Sequence, residues 1–178
     1  MPSLAFSISY TTRPPRKGEQ NGREYFFVSV PDFEQMMRRN EFAEWAQVHG
    51  HYYGTARQQL RAAQEAGRDI LLDIDVQGHR MLKRQIPEAV SVFVLPPSFQ
   101  ELEQRLRHRH KDGPEAIAKR LDASRKEIAR WKEYDYLIVN DRLSSAVRSL
   151  ENVVRAARAR RECQQSRVRE ICKTFIGG

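Results

Sequence analysis

The run Asp69-Ile70-Leu71-Leu72-Asp73-Ile74-Asp75 constrains the fold more than any other stretch of the chain. It is nearly continuous in aliphatic residues, as a strand covered on both faces must be, and it ends in carboxylates. A helix is expected after it, from about Gly78 to Gln85. The same pairing recurs twice. Val90 to Leu95 reads as a strand followed by Pro96-Pro97 and a helix from Ser98, and Tyr136 to Val139 as a strand ahead of a last helix. Leu143, Ala146, Val147, Leu150, Val153, Val154 and Ala157 fall at helical spacing and mark that helix's inner stripe. Buried strands alternating with helices predict a parallel sheet in an α/β domain.

The N-terminal third has a different texture. Leu4, Phe6 and Ile8 alternate with small residues as a strand does, and Thr11 to Gly22 reads as a polar loop with two prolines and two glycines. Tyr25 to Val28 is a short strand. Ser29, with Asp32 three residues on, caps a helix through about Arg39. Glu41 to His49 alternates again, and Gly50 and Gly54 bracket Tyr52 and Tyr53 in an expected hairpin. Ala56 to Ala66 is a helix closed by Gly67. These half-polar strands predict a small mixed α+β lobe, about residues 9–68, inserted into the α/β body.

At 178 residues the chain has the size of one domain, 1–178. Its longest apolar run is far shorter than the roughly 20 residues that cross a bilayer. No basic-then-apolar leader opens it, so a cytoplasmic protein without membrane contact is expected. Cys163 and Cys172 lack C-x-x-C spacing and are expected to be free thiols; no metal site is expected. The net charge of +8 raises the possibility of nucleic acid. Seven Lys/Arg against three Glu from Glu151 onward put about half of that excess in a basic helical tail, about residues 155–178. The rest punctuates short motifs, which suits bound phosphates at least as well as a duplex, so nucleic acid is the lesser reading.

Ligands of doubly wound sheets bind beyond the carboxyl ends of the strands. Asp73 and Asp75 lie at such an end, one strand period apart, and can face one side; alternatively they cap the next helix. Arg13 and Arg16, stiffened by Pro14 and Pro15, can converge on one phosphate or stand solvated. Tyr25, Tyr52 and Tyr53 are either hydroxyl donors or ordinary hairpin aromatics. Glu44 lies among apolar neighbours in Phe42-Ala43-Glu44-Trp45-Ala46, where a carboxylate needs partners unless it faces solvent. Guanine offers two adjacent N–H donors on one edge where adenine has an acceptor in place of one, so a buried Glu there can discriminate strongly. Arg105, Arg107, His108, Arg109, His110 and Lys111, with Arg120 beyond, are a solvated face or a set of cations around a transferring phosphoryl group.

Together these pieces resemble the guanylate kinase family over about residues 4–155. Ser9-Tyr10-Thr11-Thr12-Arg13-Pro14 looks like that family's GMP-phosphate loop. Phe42 to Ala46, His49-Gly50-His51-Tyr52-Tyr53-Gly54-Thr55 and Leu72-Asp73-Ile74-Asp75-Val76-Gln77-Gly78 look like its guanine-reading and core-edge segments, and Ile138-Val139-Asn140-Asp141 like its C-terminal motif. The resemblance implies a P-loop-kinase-like parallel sheet flanked by helices and transfer of the γ-phosphoryl of Mg-ATP to GMP. Arg13, Arg16, Tyr25 and Tyr53 would hold the GMP phosphate. Ser9, Glu44 and Thr55 would read guanine, and Asp73 and Asp75 would line the acceptor pocket. Arg105, Arg109 and Arg120 would gather the transferring phosphates, the last two from a lid over about residues 109–121, and Asn140 would lie near the ATP adenine.

One departure stands out. The family begins with a strand, a G-x-x-x-x-G-K-[ST] loop and a helix, whereas none of the nine glycines here precedes a lysine. The backbone cradle, the phosphate-reaching lysine and the Mg²⁺-ligating hydroxyl go with that loop. The first strand of the sheet is expected to be absent with it, exposing strand edges. The expectation is a kinase shortened at its N-terminus and impaired in turnover; the alternative is a non-catalytic module binding GMP or a phosphopeptide.

Overall fold

The computed structural model describes residue 1, residues 3–108 and residues 113–176. Contacts divide the chain into two compact units, Met1–Ala89 and Val90–Gly178.

In the first unit, β1 (Leu4–Phe6) pairs in parallel with β6 (Asp69–Leu71), in register from Leu4 opposite Asp69 to Phe6 opposite Leu71. The strand read over residues 69–75 is therefore shorter than its pattern. Its partner's ladder ends at Phe6, so Leu72 to Asp75 run on outside any ladder and lead into α3 (Val76–Gln85). Between β1 and β6 lies the mixed lobe. Its sheet runs in the order β3 (Phe26–Phe27), β2 (Tyr10–Thr11), β5 (His51–Ala56), β4 (Phe42–Val48). The hairpin β4–β5 turns at His49 and Gly50, both at positive φ (51° and 86°), the two-residue geometry that matches strand twist. Gly54 sits inside β5 instead of at a turn. A Cβ there would come within 3.1 Å of Phe33 Cζ and the Glu44 carbonyl, so only glycine fits without repacking.

Helix α1 (Val30–Arg38) starts where the Ser29 side chain accepts from the Asp32 N–H at 3.2 Å. It buries Phe33 completely, stacked on Phe42 at 4.4 Å and Tyr52 at 5.3 Å, and this aromatic column pins the helix to the lobe sheet. Helix α2 (Arg57–Glu65) ends at Ala66, with Gly67 at φ 60° just beyond.

In the second unit, β7 (Val92–Leu95) pairs in parallel with β8 (Tyr136–Val139). The Asp135 carboxylate pins the start of that pair by accepting from the Ser91 N–H (2.8 Å) and Oγ (2.9 Å). Helices α4 (Phe99–His108) and α5 (Pro114–Ile128) pack through Leu106, Ile117 and Leu121, with Phe99 and Leu102 alongside. Then come a 3₁₀ turn (Trp131–Glu133), α6 (Leu143–Arg158) and α7 (Arg161–Ile176).

The α/β class and the parallel strands are as the sequence predicts. Two expectations of burial fail. On α6 only Ala146 of the predicted inner stripe is fully buried, while Leu143 and Val147 are exposed. On β8, Ile138 is buried but Leu137 and Val139 are half exposed, as is Val94 of β7. Among the described residues β1–β6 and β7–β8 are two-stranded pairs, so each of these strands has one paired edge, and the exposed side chains of β7 and β8 mark faces that packing leaves open.

Candidate functional site

The lobe sheet sets out the candidate groups in order. Tyr53 and Thr55 alternate along β5 and so share a face. Thr11 of β2 lies opposite Tyr53, which brings the following loop, with Arg13, alongside it.

Around Tyr53 the Arg13 guanidinium is enclosed. It donates to Glu19 Oε1 at 2.9 Å and to the Pro14 carbonyl at 2.7 Å, and its Cζ lies 5.4 Å from the Tyr25 ring centroid and 5.8 Å from that of Phe27. Burial disfavours its charge, but Glu19 and Tyr53 outweigh that and hold it more firmly cationic than usual. The Tyr25 and Tyr53 rings meet edge-on at 5.9 Å. Burial pushes the Tyr25 phenol up, and Tyr53 and Asp73 add to the rise while Arg13 opposes it. Arg13, Tyr25, Tyr53 and Asp73 thus form one electrostatic cluster. Arg16 is exposed, and its backbone N–H donates to Glu19 Oε2 at 2.7 Å, so one carboxylate ties both arginine positions of the loop.

One strand period along, a second cluster forms. Glu44 of β4 faces Thr55 of β5; the two are 3% and 0% exposed. Burial pushes the Glu44 carboxyl up, Thr55 pulls it back down, and the nearby Asp75 carboxylate raises it again. Thr55 Oγ1 completes no well-aligned hydrogen bond, although it lies near enough to Glu44 to favour its ionised form. Asp75 does cap α3, accepting from the Gly78 N–H at 2.8 Å, and its carboxylate also acts on Glu44. Asp73 and Asp75 therefore attend different clusters, the first beside Tyr25 and the second beside Glu44. Ser9 is half-buried between β1 and β2, its carbonyl taken by the Phe26 N–H at 2.9 Å. A cleft of 280 Å³ lined by Met36, Arg39, Arg57 and Arg61 is a different feature and includes none of these groups.

In the second unit Arg105 is fully engaged. It donates to Glu101 Oε1 (2.7 Å) and to the carbonyls of Asn140 (2.8 Å) and Asp141 (3.1 Å), so two predicted site residues meet across the end of β8. Arg120 is half-buried on α5. Arg109, and with it the start of the predicted lid, lies outside the described residues.

A family model described as guanylate kinase matches residues 2–157. The chain belongs to the guanylate kinase family. The guanylate kinase of Dechloromonas aromatica is 50% identical over 155 residues, covering 87% of this chain and 77% of that one. That of Syntrophotalea carbinolica is 50% identical over 168 residues, covering 94% and 78%. The crystal structure of guanylate kinase from Anaplasma phagocytophilum superposes with a TM-score of 0.77 at 33% identity, over 93% of this chain and 86% of that one. The guanylate kinase match ends before α7, which begins at Arg161.

Two residues of the site make contacts that no motif announces. Glu19 carries a weak signal, since it follows Arg16 by the three residues of a turn that its own N–H closes onto the Arg16 carbonyl at 3.0 Å. Gly78 falls inside the resembling segment Leu72 to Gly78, but nothing in that segment points to its closeness to the side chain of Glu44, far away in sequence.

Proposed function

We propose that the protein binds GMP in its first unit and belongs to an enzyme of ATP:GMP phosphotransferase activity, working in the cytoplasm in purine nucleotide metabolism. The observation that supports this best is the pair of clusters along β5. A cationic, hydroxyl-rich group around Arg13, Tyr25 and Tyr53 lies one strand period, roughly 7 Å, from a buried carboxylate and hydroxyl at Glu44 and Thr55. A mononucleotide has the same polarity: phosphate at one end, donor-bearing base edge at the other, one sugar between. In this reading Arg13, Arg16, Tyr25 and Tyr53 grip the phosphate, Glu44, Thr55 and Ser9 read guanine, and Asp73 and Asp75 line the space between.

The chemistry is positioning. A GMP phosphate oxygen attacks the γ-phosphorus, the bond to the β-phosphate oxygen breaks, and ADP leaves. Mg²⁺ arrives with ATP as part of that substrate. Arg105, Arg109 and Arg120 are proposed to neutralise the charge in transit, with Asn140 near the adenine, residues 109–121 as lid and residues 155–178 as basic tail. The 178 residues hold no Gly-Lys pair, so by themselves they are proposed to turn over little. Supplied upstream with a G-x-x-x-x-G-K-[ST] segment, the protein should form GDP from GMP and Mg-ATP in a coupled assay; no turnover by that protein refutes the enzyme reading. A binding module for GMP or a phosphopeptide is the second reading, favoured by acceptor groups that assemble without a phosphate loop. Calorimetry on the 178-residue chain tests the grip common to both. Arg13→Ala should weaken GMP by more than about 1 kcal/mol, and unchanged affinity would count against this pocket.

A further inference from the structure

We propose that Gly78 is a specificity-determining position, whose missing side chain leaves the space in which the Glu44 carboxylate is held against the base. This rests on Glu44 being the guanine-facing carboxylate. Gly78 is buried in the first turn of α3. A Cβ built there would overlap Glu44 Oε2 and come within 3.2 Å of Glu44 Cδ. It would meet Asp75 Oδ1 at 3.4 Å, an ordinary contact, so the strain falls on Glu44 alone.

On a surface a glutamate head would swing aside at little cost. Glu44 is 3% exposed and has no such freedom. Helix α3 cannot easily retreat either, because Gln85 Nε2, at its far end, donates to the Ala43 carbonyl, next to Glu44, at 2.8 Å. Nor is glycine demanded by the backbone. Gly78 has no positive φ, and alanine is the better helix former, so local structure alone would favour a side chain at this position. What glycine supplies is room for one carboxylate. The Gly78 N–H meanwhile fixes Asp75, the neighbouring carboxylate, so a single residue orients both acids through its backbone and its emptiness.

The consequence is a preference. A carboxylate in this position accepts the paired N–H groups of guanine and opposes the ring acceptor of adenine. Displaced by a methyl group, it loses the first interaction and the second repulsion together. Calorimetry with GMP and AMP on the parent chain, Gly78→Ala, Glu44→Ala and the double variant tests this. Gly78→Ala should weaken GMP at least about 10-fold and leave AMP within about twofold, which equals a loss of at least about 5-fold, or about 1 kcal/mol, in discrimination. In the Glu44→Ala background the same change should cost no more than about twofold. Gly78→Ala binding GMP like the parent, or losing as much without Glu44 as with it, overturns the proposal. Equal loss for GMP and AMP overturns it too, since that marks general damage to the lobe. A Glu44→Ala chain that binds GMP normally removes the base-reading role itself, a separate failure. If Gly78→Ala does not fold, the double variant decides. Recovery of its melting transition supports the overlap with Glu44, and no recovery refutes it.

Discussion

Glu44 is a carboxylate held where its charge is disfavoured. Burial lifts its pKa above the ordinary 4.5, Asp75 lifts it further, and Thr55 only partly compensates. The folded protein therefore binds this proton more tightly than the unfolded chain does. Between 4.5 and the higher folded value, stability falls as pH rises, and above that window the full cost is present. Glu44→Gln should accordingly be more stable than the parent near neutral pH, and the difference should vanish below the ordinary glutamate range. Urea midpoints over a pH series measure this; a variant less stable at neutral pH would show that Glu44 is well compensated. GMP affinity should move the other way, weakening in the parent as acid protonates the acceptor. With Glu44 in its proposed base-reading role, stability and binding pull against each other at this residue.

Among the elements, α1 carries the largest single commitment. Phe33 is 0% exposed and stacks between Phe42 and Tyr52, so it joins the helix to β4 and β5. Phe33→Ala should cost about 3–5 kcal/mol in a denaturant titration. A loss below about 1 kcal/mol would mean that the column repacks. This helix was legible in the sequence because its signals are local: Ser29 and Asp32 at the cap and a periodic face behind them. The hairpin was legible in kind, though its turn uses His49 and Gly50 while Gly54 is kept for packing against Phe33. β6 was overread because hydrophobic pattern reports what a residue prefers to touch and says nothing of where its partner strand stops. Leu72 and Ile74 look as strand-like as Ile70, yet the ladder with β1 ends at Leu71. The sequence named Glu44 and Thr55 one by one through the family resemblance, and the structure sets them opposite each other, whereas the contacts of Glu19 with Arg13 and of Gly78 with Glu44 are ones that motifs do not encode.

For the molecule as a whole, the parallel strands set the risk. Val94, Leu137 and Val139 are each about half exposed, and Phe6, Leu143 and Val147 add apolar surface. Soluble monomers rarely leave much contiguous apolar surface uncovered. The 178-residue chain is expected to bind a naphthalene-sulfonate dye in its native state. Leu137→Thr with Val139→Thr should reduce that fluorescence while shifting the unfolding free energy by about 1 kcal/mol or less. Absence of dye binding by the parent would show the faces to be covered in solution. The burial stripe of α6 could not be judged from spacing, because whether a face is covered depends on what else is present to cover it. The division at Ala89 and Val90 has a last consequence. Every candidate for recognising the acceptor precedes it, and Arg105, Arg120 and Asn140 follow it. Under the proposed assignment, substitutions beyond Val90 are expected to erase turnover and spare recognition, and a lineage that abandoned catalysis would keep an intact receptor for its former substrate.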